Sequence, residues 1–218
     1  MTKSQTSRVC PICDNMVQQV FDFLRRYQHD LVSNPVAREL HAQRGGFCAF
    51  HSRQYEFLAS PQGVCEGYSA FLQSVGERLL AIAAEAVTVD EVVCVMEKSP
   101  TARPACSVCE VVSKAEEEAL SAALAQMAAA MTKDTTPLFC IAHLTALVSR
   151  LTDLDIVRRL LERHGDEFKR VAEDMRQYVA KRDSLQRHLL TIDEQEAYLR
   201  GLMLLKGHRR LAASPESH

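Results

Sequence analysis

Six of the eight cysteines in this 218-residue chain fall into a pattern that occurs twice, each time with a histidine. The first copy is Cys10-Pro-Ile-Cys13 and then, after 34 intervening residues, Cys48-Ala-Phe-His51. The second is Cys106-Ser-Val-Cys109 and then, after 30, Cys140-Ile-Ala-His143. Between the copies the C-x2-C pairs shift by 96 positions (106 − 10, 109 − 13) and the C-x2-H pairs by 92 (140 − 48, 143 − 51), a difference of one short loop indel. Two ligands three residues apart at a tight turn or helix start converge on one ion, and two such pairs complete a tetrahedral shell. Taken in chain order, each copy forms its own Cys3His metal site: Cys10, Cys13, Cys48 and His51 in one, Cys106, Cys109, Cys140 and His143 in the other. A closed set of this kind matches structural zinc, because catalytic zinc keeps one position open for water or substrate. Iron–sulfur clusters also accept Cys-rich ligation with an occasional His, and spacing alone does not separate the two.

Three thiolates and a neutral imidazole around a divalent ion leave a net charge of about −1, which favours helix N-termini with their free N–H groups and positive dipole end. The chain predicts such ends at the ligands. Pro11 and Pro137 suit a first helical turn, Thr136 suits an N-cap before Pro137, and Gly45-Gly46 breaks the chain just before Cys48. The other two cysteines, Cys65 and Cys94, lie outside the repeat and read first as small core hydrophobes; a redox thiol beside a metal is the sharper alternative, with Cys94 its better candidate.

Helical periodicity accounts for the segments that must carry these ligands. Met16, Val17, Val20, Phe21 and Leu24 mark a helix to about His29, and Asn34-Pro35 opens a short one closed by Gly45-Gly46. Helices are expected from Cys48 to about Leu58, from Gly67 to Val87, from Val112 to Met131 and from Cys140 to Leu151. Lys98 to Ala105, with two prolines, joins the copies. Val157, Leu161, His164, Phe168, Val171, Met175, Tyr178, Arg182, Leu185 and Leu189 then form a heptad-like seam on a long helix, with Gly165 as a candidate kink. Thr191-Ile-Asp-Glu194 resembles a capping box opening a last helix to about Lys206. The expected fold is all-α: two metal-clipped helical hairpins (1–98 and 99–152), a C-terminal helical segment (153–211) packing on them, and a flexible tail (212–218).

Composition agrees and excludes other classes. Gly plus Pro is 15 of 218 (8 and 7), too few turn formers for a β-sandwich or barrel. A net charge of −2 gives no electrostatic footprint for nucleic acid or an anionic membrane. The N-terminal residues lack an apolar signal-peptide core and the most apolar run, Ala119 to Met131, is too short to span a bilayer, so a cytoplasmic protein with reduced thiols is expected. His164, His188 and His208 have no partners at ligand spacing, and the basic Lys206-Gly-His-Arg-Arg210 reads as a solvated helix end. No nucleotide loop, zinc-protease or serine-hydrolase motif is present, and no carboxylate pair stands out as acid and base.

Cys10-Pro-Ile-Cys13, Gly45-Gly-Phe-Cys-Ala-Phe-His51, Cys106-Ser-Val-Cys109 and Cys140-Ile-Ala-His143, followed by a long charged helix, together resemble an uncharacterised bacterial family of unknown function. The resemblance covers most of the chain and implies a bacterial, cytosolic, helical protein without a known activity. Where that family carries a Lys-His-Asp-like stretch this chain has Lys181-Arg-Asp183, so no role passes to a histidine there. The expected function is a non-enzymatic protein with two zinc ions, an interaction or accessory module; the 157–189 seam reads first as packing against the repeat helices, with a protein partner or a second copy as the alternative. The alternatives are a protein with two iron–sulfur clusters for electron transfer or redox-enzyme support, and a thiolate-zinc enzyme or metal carrier.

Overall fold

A computed structural model describes residues 10–85, 88–99, 104–129, 137–182 and 186–207. Among them the fold is all-α, with no strand. Helix α1 (Pro11–Ser33) runs one turn beyond the expected His29 and stops where Asn34, extended before Pro35, caps α2 (Pro35–Gln43) by accepting a hydrogen bond from the Val36 N–H. Gly45 and Gly46, both at positive φ, turn the chain into α3 (Ala49–Leu58), and α4 (Pro61–Glu85) follows. A Cβ on Gly46 would stand 2.9 Å from the Phe71 ring, so backbone conformation and packing both require glycine there. The stretch around Cys94 is a further helix, α5 (Val89–Glu97), opened by a Thr88–Glu91 capping box of the same kind as the one read at Thr191.

Helix α6 (Ser107–Ala129) covers the expected second-copy helix as far as Ala129; residues 130–136, with its expected end and the polar turn, lie outside the described residues. Helix α7 is shorter than expected, Ile141–Val148. Residues 137–140 are not helical, so Pro137 does not open a helix, and Cys140 itself is the N-cap. His164 holds this lead-in: its Nε2 accepts the Phe139 backbone N–H at 2.8 Å.

Helix α8 (Leu154–Arg182) passes through Gly165 as one helix, and a 3-10 turn (Arg187–Leu189) leads to α9 (Ile192–Lys206), which starts on the expected Thr191 capping box. The inner face of α8 packs against α9. Its buried residues are Leu160, His164 and Val171, whereas Leu161 and Met175 of the seam are exposed. The seam does not continue as α-helix to 189: Leu185 lies outside the described residues, and Leu189 is exposed in the 3-10 turn. Charged groups tie this hairpin together. Arg200, 5% exposed, reaches Asp174 at 2.6 Å and donates to the Asp193 carbonyl, and Lys181 meets Glu194 at 2.6 Å. An ion pair this enclosed is retained only because each partner is paired, since a lone buried charge costs several kcal/mol. No helix among the described residues is long and apolar enough to cross a membrane.

The chain forms two compact units. One contains residues 10–17 with 115–207 and buries Ile12, Met16, Leu120, Phe139, Leu147, Leu160 and Val171. The other contains residues 18–114, and its core joins Val20, Leu24, Leu31, Phe47, Tyr55 and Val108. The cysteine repeats and the compact units therefore do not coincide, because α1 and α6 each begin in one unit and end in the other.

Candidate metal centres

Every half-motif occupies the same local structure. The first cysteine of each stands just before a helix, and its carbonyl accepts the first i+4 hydrogen bond: Asp14 to Cys10, Ser52 to Cys48, Glu110 to Cys106 and Leu144 to Cys140. The second ligand sits three residues later, on the first helical turn, aimed at the same point. Cys48 and Cys140 share almost one backbone conformation (φ −62, ψ 161 and φ −70, ψ 162), and neither uses its side chain as a cap, which frees the sulfur. Helix N-termini are thus where all eight ligands stand, as their charge requires.

The grouping differs from chain order. Cys10 and Cys13 meet Cys140 and His143; Cys106 and Cys109 meet Cys48 and His51. Each site takes its C-x2-C from one copy and its C-x2-H from the other, and each lies wholly within one compact unit. Pairing within a copy fails on reach. Phe47, beside Cys48, packs its ring on Tyr27 with centroids 5.3 Å apart, and Tyr27 lies about 21 Å of helical rise beyond Cys13 on α1. The C-x2-H that follows α1 is held at that helix's later turns and has no route back to its start.

The two groups have one geometry. In the first, His143 Nδ1 lies 3.4, 3.3 and 3.2 Å from the sulfurs of Cys10, Cys13 and Cys140, and the Cys13 and Cys140 sulfurs are 3.8 Å apart. In the second, His51 Nδ1 lies 3.2, 3.4 and 3.3 Å from Cys48, Cys106 and Cys109, with the Cys48 and Cys109 sulfurs again 3.8 Å apart. With zinc–sulfur bonds of about 2.3 Å, a tetrahedral shell has a sulfur–sulfur edge of about 3.8 Å. The donors fit one such ion in each group, and both groups could hold a metal.

Surroundings distinguish them. In the first group all four ligands are buried, whereas Cys48 and Cys109 of the second are half-exposed. His143 turns its outer nitrogen, Nε2, to Glu116 at 3.2 Å. Burial works against a charge on His143, but hydrogen bonding with Cys10, Cys140 and Glu116 pushes it up to about 11. The same contact with His143 holds the Glu116 carboxyl below its usual range. Burial pulls His51 down to about 4. Cys10 is held far below an ordinary thiol by Cys13 and Cys140, while burial pushes Cys106 and Cys109 up. A bound dication would supply positive charge to either group and stabilise the thiolate forms.

Three residues around the first group belong to no motif in the sequence. Glu116 reads in sequence as one of three solvated glutamates, and only the fold brings it to His143. His164 is fully buried; besides accepting from Phe139, it donates from Nδ1 to the Leu160 carbonyl at 2.7 Å, so both ring nitrogens are used. It fixes the backbone immediately before Cys140. Gly207, the C-cap of α9 at φ +74, approaches so closely that a Cβ there would lie 3.0 Å from the Cys13 sulfur and 3.5 Å from that of Cys140. A glycine after a periodic helix signals a C-cap, and nothing in its spacing signals this approach to sulfur.

Cys65 and Cys94 belong to neither group, and both are exposed rather than core residues. The helices that carry them bury little: Leu72, Leu79 and Leu80 on α4 and Val93, Val95 and Met96 on α5 are exposed too. His188 is exposed, and His208 lies outside the described residues. Comparison with protein-family models, curated proteins and solved structures finds no match to this chain in any of the three.

Proposed function

We propose that this chain is a non-enzymatic two-zinc protein whose ions hold its helices in register and whose surface serves other proteins. The observation that carries the reading is the single-ion size of each donor set: all four ligand atoms lie within 4.8 Å of one another. A polynuclear iron–sulfur cluster distributes its ligands over several irons and needs a wider spread, so the geometry favours one ion per site. The residues that would hold zinc are Cys10, Cys13, Cys140 and His143 at one site and Cys48, His51, Cys106 and Cys109 at the other. Four protein donors leave no position for water or substrate, which supports a structural over a catalytic ion.

The accessory role is supported by large apolar side chains left exposed in each unit: Leu72 and Leu80 on α4 and Val89 on α5 in one, Leu161 and Val179 on α8 in the other. Anaerobic purification followed by elemental analysis and a visible spectrum tests the metal assignment. Two equivalents of zinc and no colour are expected; iron with sulfide and visible absorption would replace zinc by clusters.

A further inference from the structure

The 96-residue offset that relates Cys10 to Cys106 and Cys13 to Cys109 continues into the helices behind them. It relates Leu24 to Leu120 and Leu31 to Met127, all buried. At one position the related residues differ in chemistry. Glu116, whose carboxylate meets His143 Nε2, corresponds to Val20, buried in the apolar cluster with Phe47 and Cys106. A carboxylate accepting the outer N–H of a ligating histidine fixes its tautomer and ring orientation and strengthens it as a donor, and such partners contribute 10- to 100-fold in metal affinity. Valine offers none of this. Burial points the same way: the site beside Glu116 encloses all four ligands, while the other leaves Cys48 and Cys109 open to attack by a competing ligand.

Resting on the two-zinc reading, we propose that the sites form an ordered pair with different tasks. Cys10, Cys13, Cys140 and His143 retain their ion, with Glu116 as the positioning residue. Cys48, His51, Cys106 and Cys109 form the exchangeable site, passing zinc to and from thiolate or chelating ligands that enter at Cys48 and Cys109. The second ion is then a reporter of available zinc, and the first keeps its own unit folded when the second is lost. The difference at the 20/116 position makes two otherwise corresponding sites unequal.

The test uses the full chain loaded with two equivalents of zinc and challenged with excess chromophoric chelator under reducing conditions. Release in two phases of one equivalent each is expected. Cys48→Ser removes the fast phase and Cys13→Ser the slow one. Glu116→Ala accelerates the slow phase 10- to 100-fold, Glu116→Gln falls between it and the parent, and neither changes the fast phase. The cobalt-substituted protein reports the same variants through the ligand-field bands of one site only, a signature that loss of packing would not reproduce. Release in a single phase, a slow phase indifferent to Glu116→Ala, or a fast phase belonging to the Cys13 site would each overturn the proposal while leaving two zinc sites in place. Fewer than two equivalents bound at the start would overturn the two-zinc reading and the proposal with it.

Discussion

Cys13 and Cys140, 127 residues apart, bring their sulfurs to 3.8 Å, while Cys13 and Cys48, neighbours in the repeat, belong to different metal groups. The exchange gives an unambiguous stoichiometric test. Cys13→Ser combined with Cys140→Ser damages one site and should lower bound zinc from two equivalents to one. Cys13→Ser combined with Cys48→Ser damages both and should remove both. Elemental analysis of the two double variants reads the difference, and pairing within each copy predicts the reverse.

Chelation should unfold helices as well as strip metal. A structural zinc contributes on the order of 10 kcal/mol in small folding units, comparable to the stability of a whole domain. Each compact unit contains one candidate site, so loss of metal should be felt in both. Circular dichroism under reducing conditions should lose a large part of its helical signal on chelator addition and regain it with zinc. An unchanged spectrum would contradict the structural role of the ions.

His164→Leu leaves the Phe139 N–H without its acceptor next to a ligand. A buried donor left unsatisfied costs about 1–3 kcal/mol, so thermal unfolding should occur at lower temperature. Zinc should be lost more readily from the Cys140 site while the Cys48 site keeps its affinity. Competition with a chelator of known affinity separates the two effects.

Gly207→Ala adds a Cβ where the backbone conformation is almost exclusive to glycine and where a sulfur stands 3.0 Å away. The backbone penalty is about 1–3 kcal/mol, and the displaced sulfur should show as an altered cobalt spectrum at one site. Gly165→Ala, on an open face of α8 with nothing within 4 Å, is the control and should be neutral or slightly stabilising.

His41 makes a separate acid-sensitivity prediction. It is 1% exposed, its ring packed against Phe47 and Tyr68, with Nδ1 3.2 Å from the Tyr27 hydroxyl, and burial pulls it down to about 4. An unfolded histidine titrates near its ordinary value of about 6.5. The unfolded state therefore binds the extra proton first as pH falls, and the stability contributed by neutral His41, full above pH ~6.5, is lost progressively towards pH ~4. The loss is on the order of 3 kcal/mol over that window, at about 1.4 kcal/mol per pH unit. Denaturant midpoints measured across it should fall less steeply for His41→Phe than for the parent. Parallel slopes would show that His41 does not titrate this way.

The helical class, the eight candidate ligands, their placement at helix starts and the Thr191 capping box were all legible in the chain. Each depends on local rules: 3.6-residue periodicity, a cysteine or capping residue before a first turn, and ligand pairs spaced to converge. Local rules also fell short in places. Pro137 met the pattern for a first helical turn, yet the helix starts only after Cys140, and Cys65 and Cys94 looked like core because sequence does not say which apolar helix faces go uncovered.

The partnership of the ligands is a different kind of quantity. Spacing within a half-motif determines that two side chains can share an ion, because three residues at a helix start span a fixed short distance. Which half-motifs meet depends on where a rigid helix of 23 residues delivers the chain, and α1 carries Cys48 away from Cys10 and Cys13 into the neighbourhood of Cys106 and Cys109. Glu116 beside His143, His164 behind Phe139 and Gly207 against the sulfurs follow from that same long-range placement. The sequence by itself determined which donors could bind metal and on what local scaffold. Tertiary structure alone decided their grouping and what surrounds each group, because contacts between distant segments are set by packing and not by spacing.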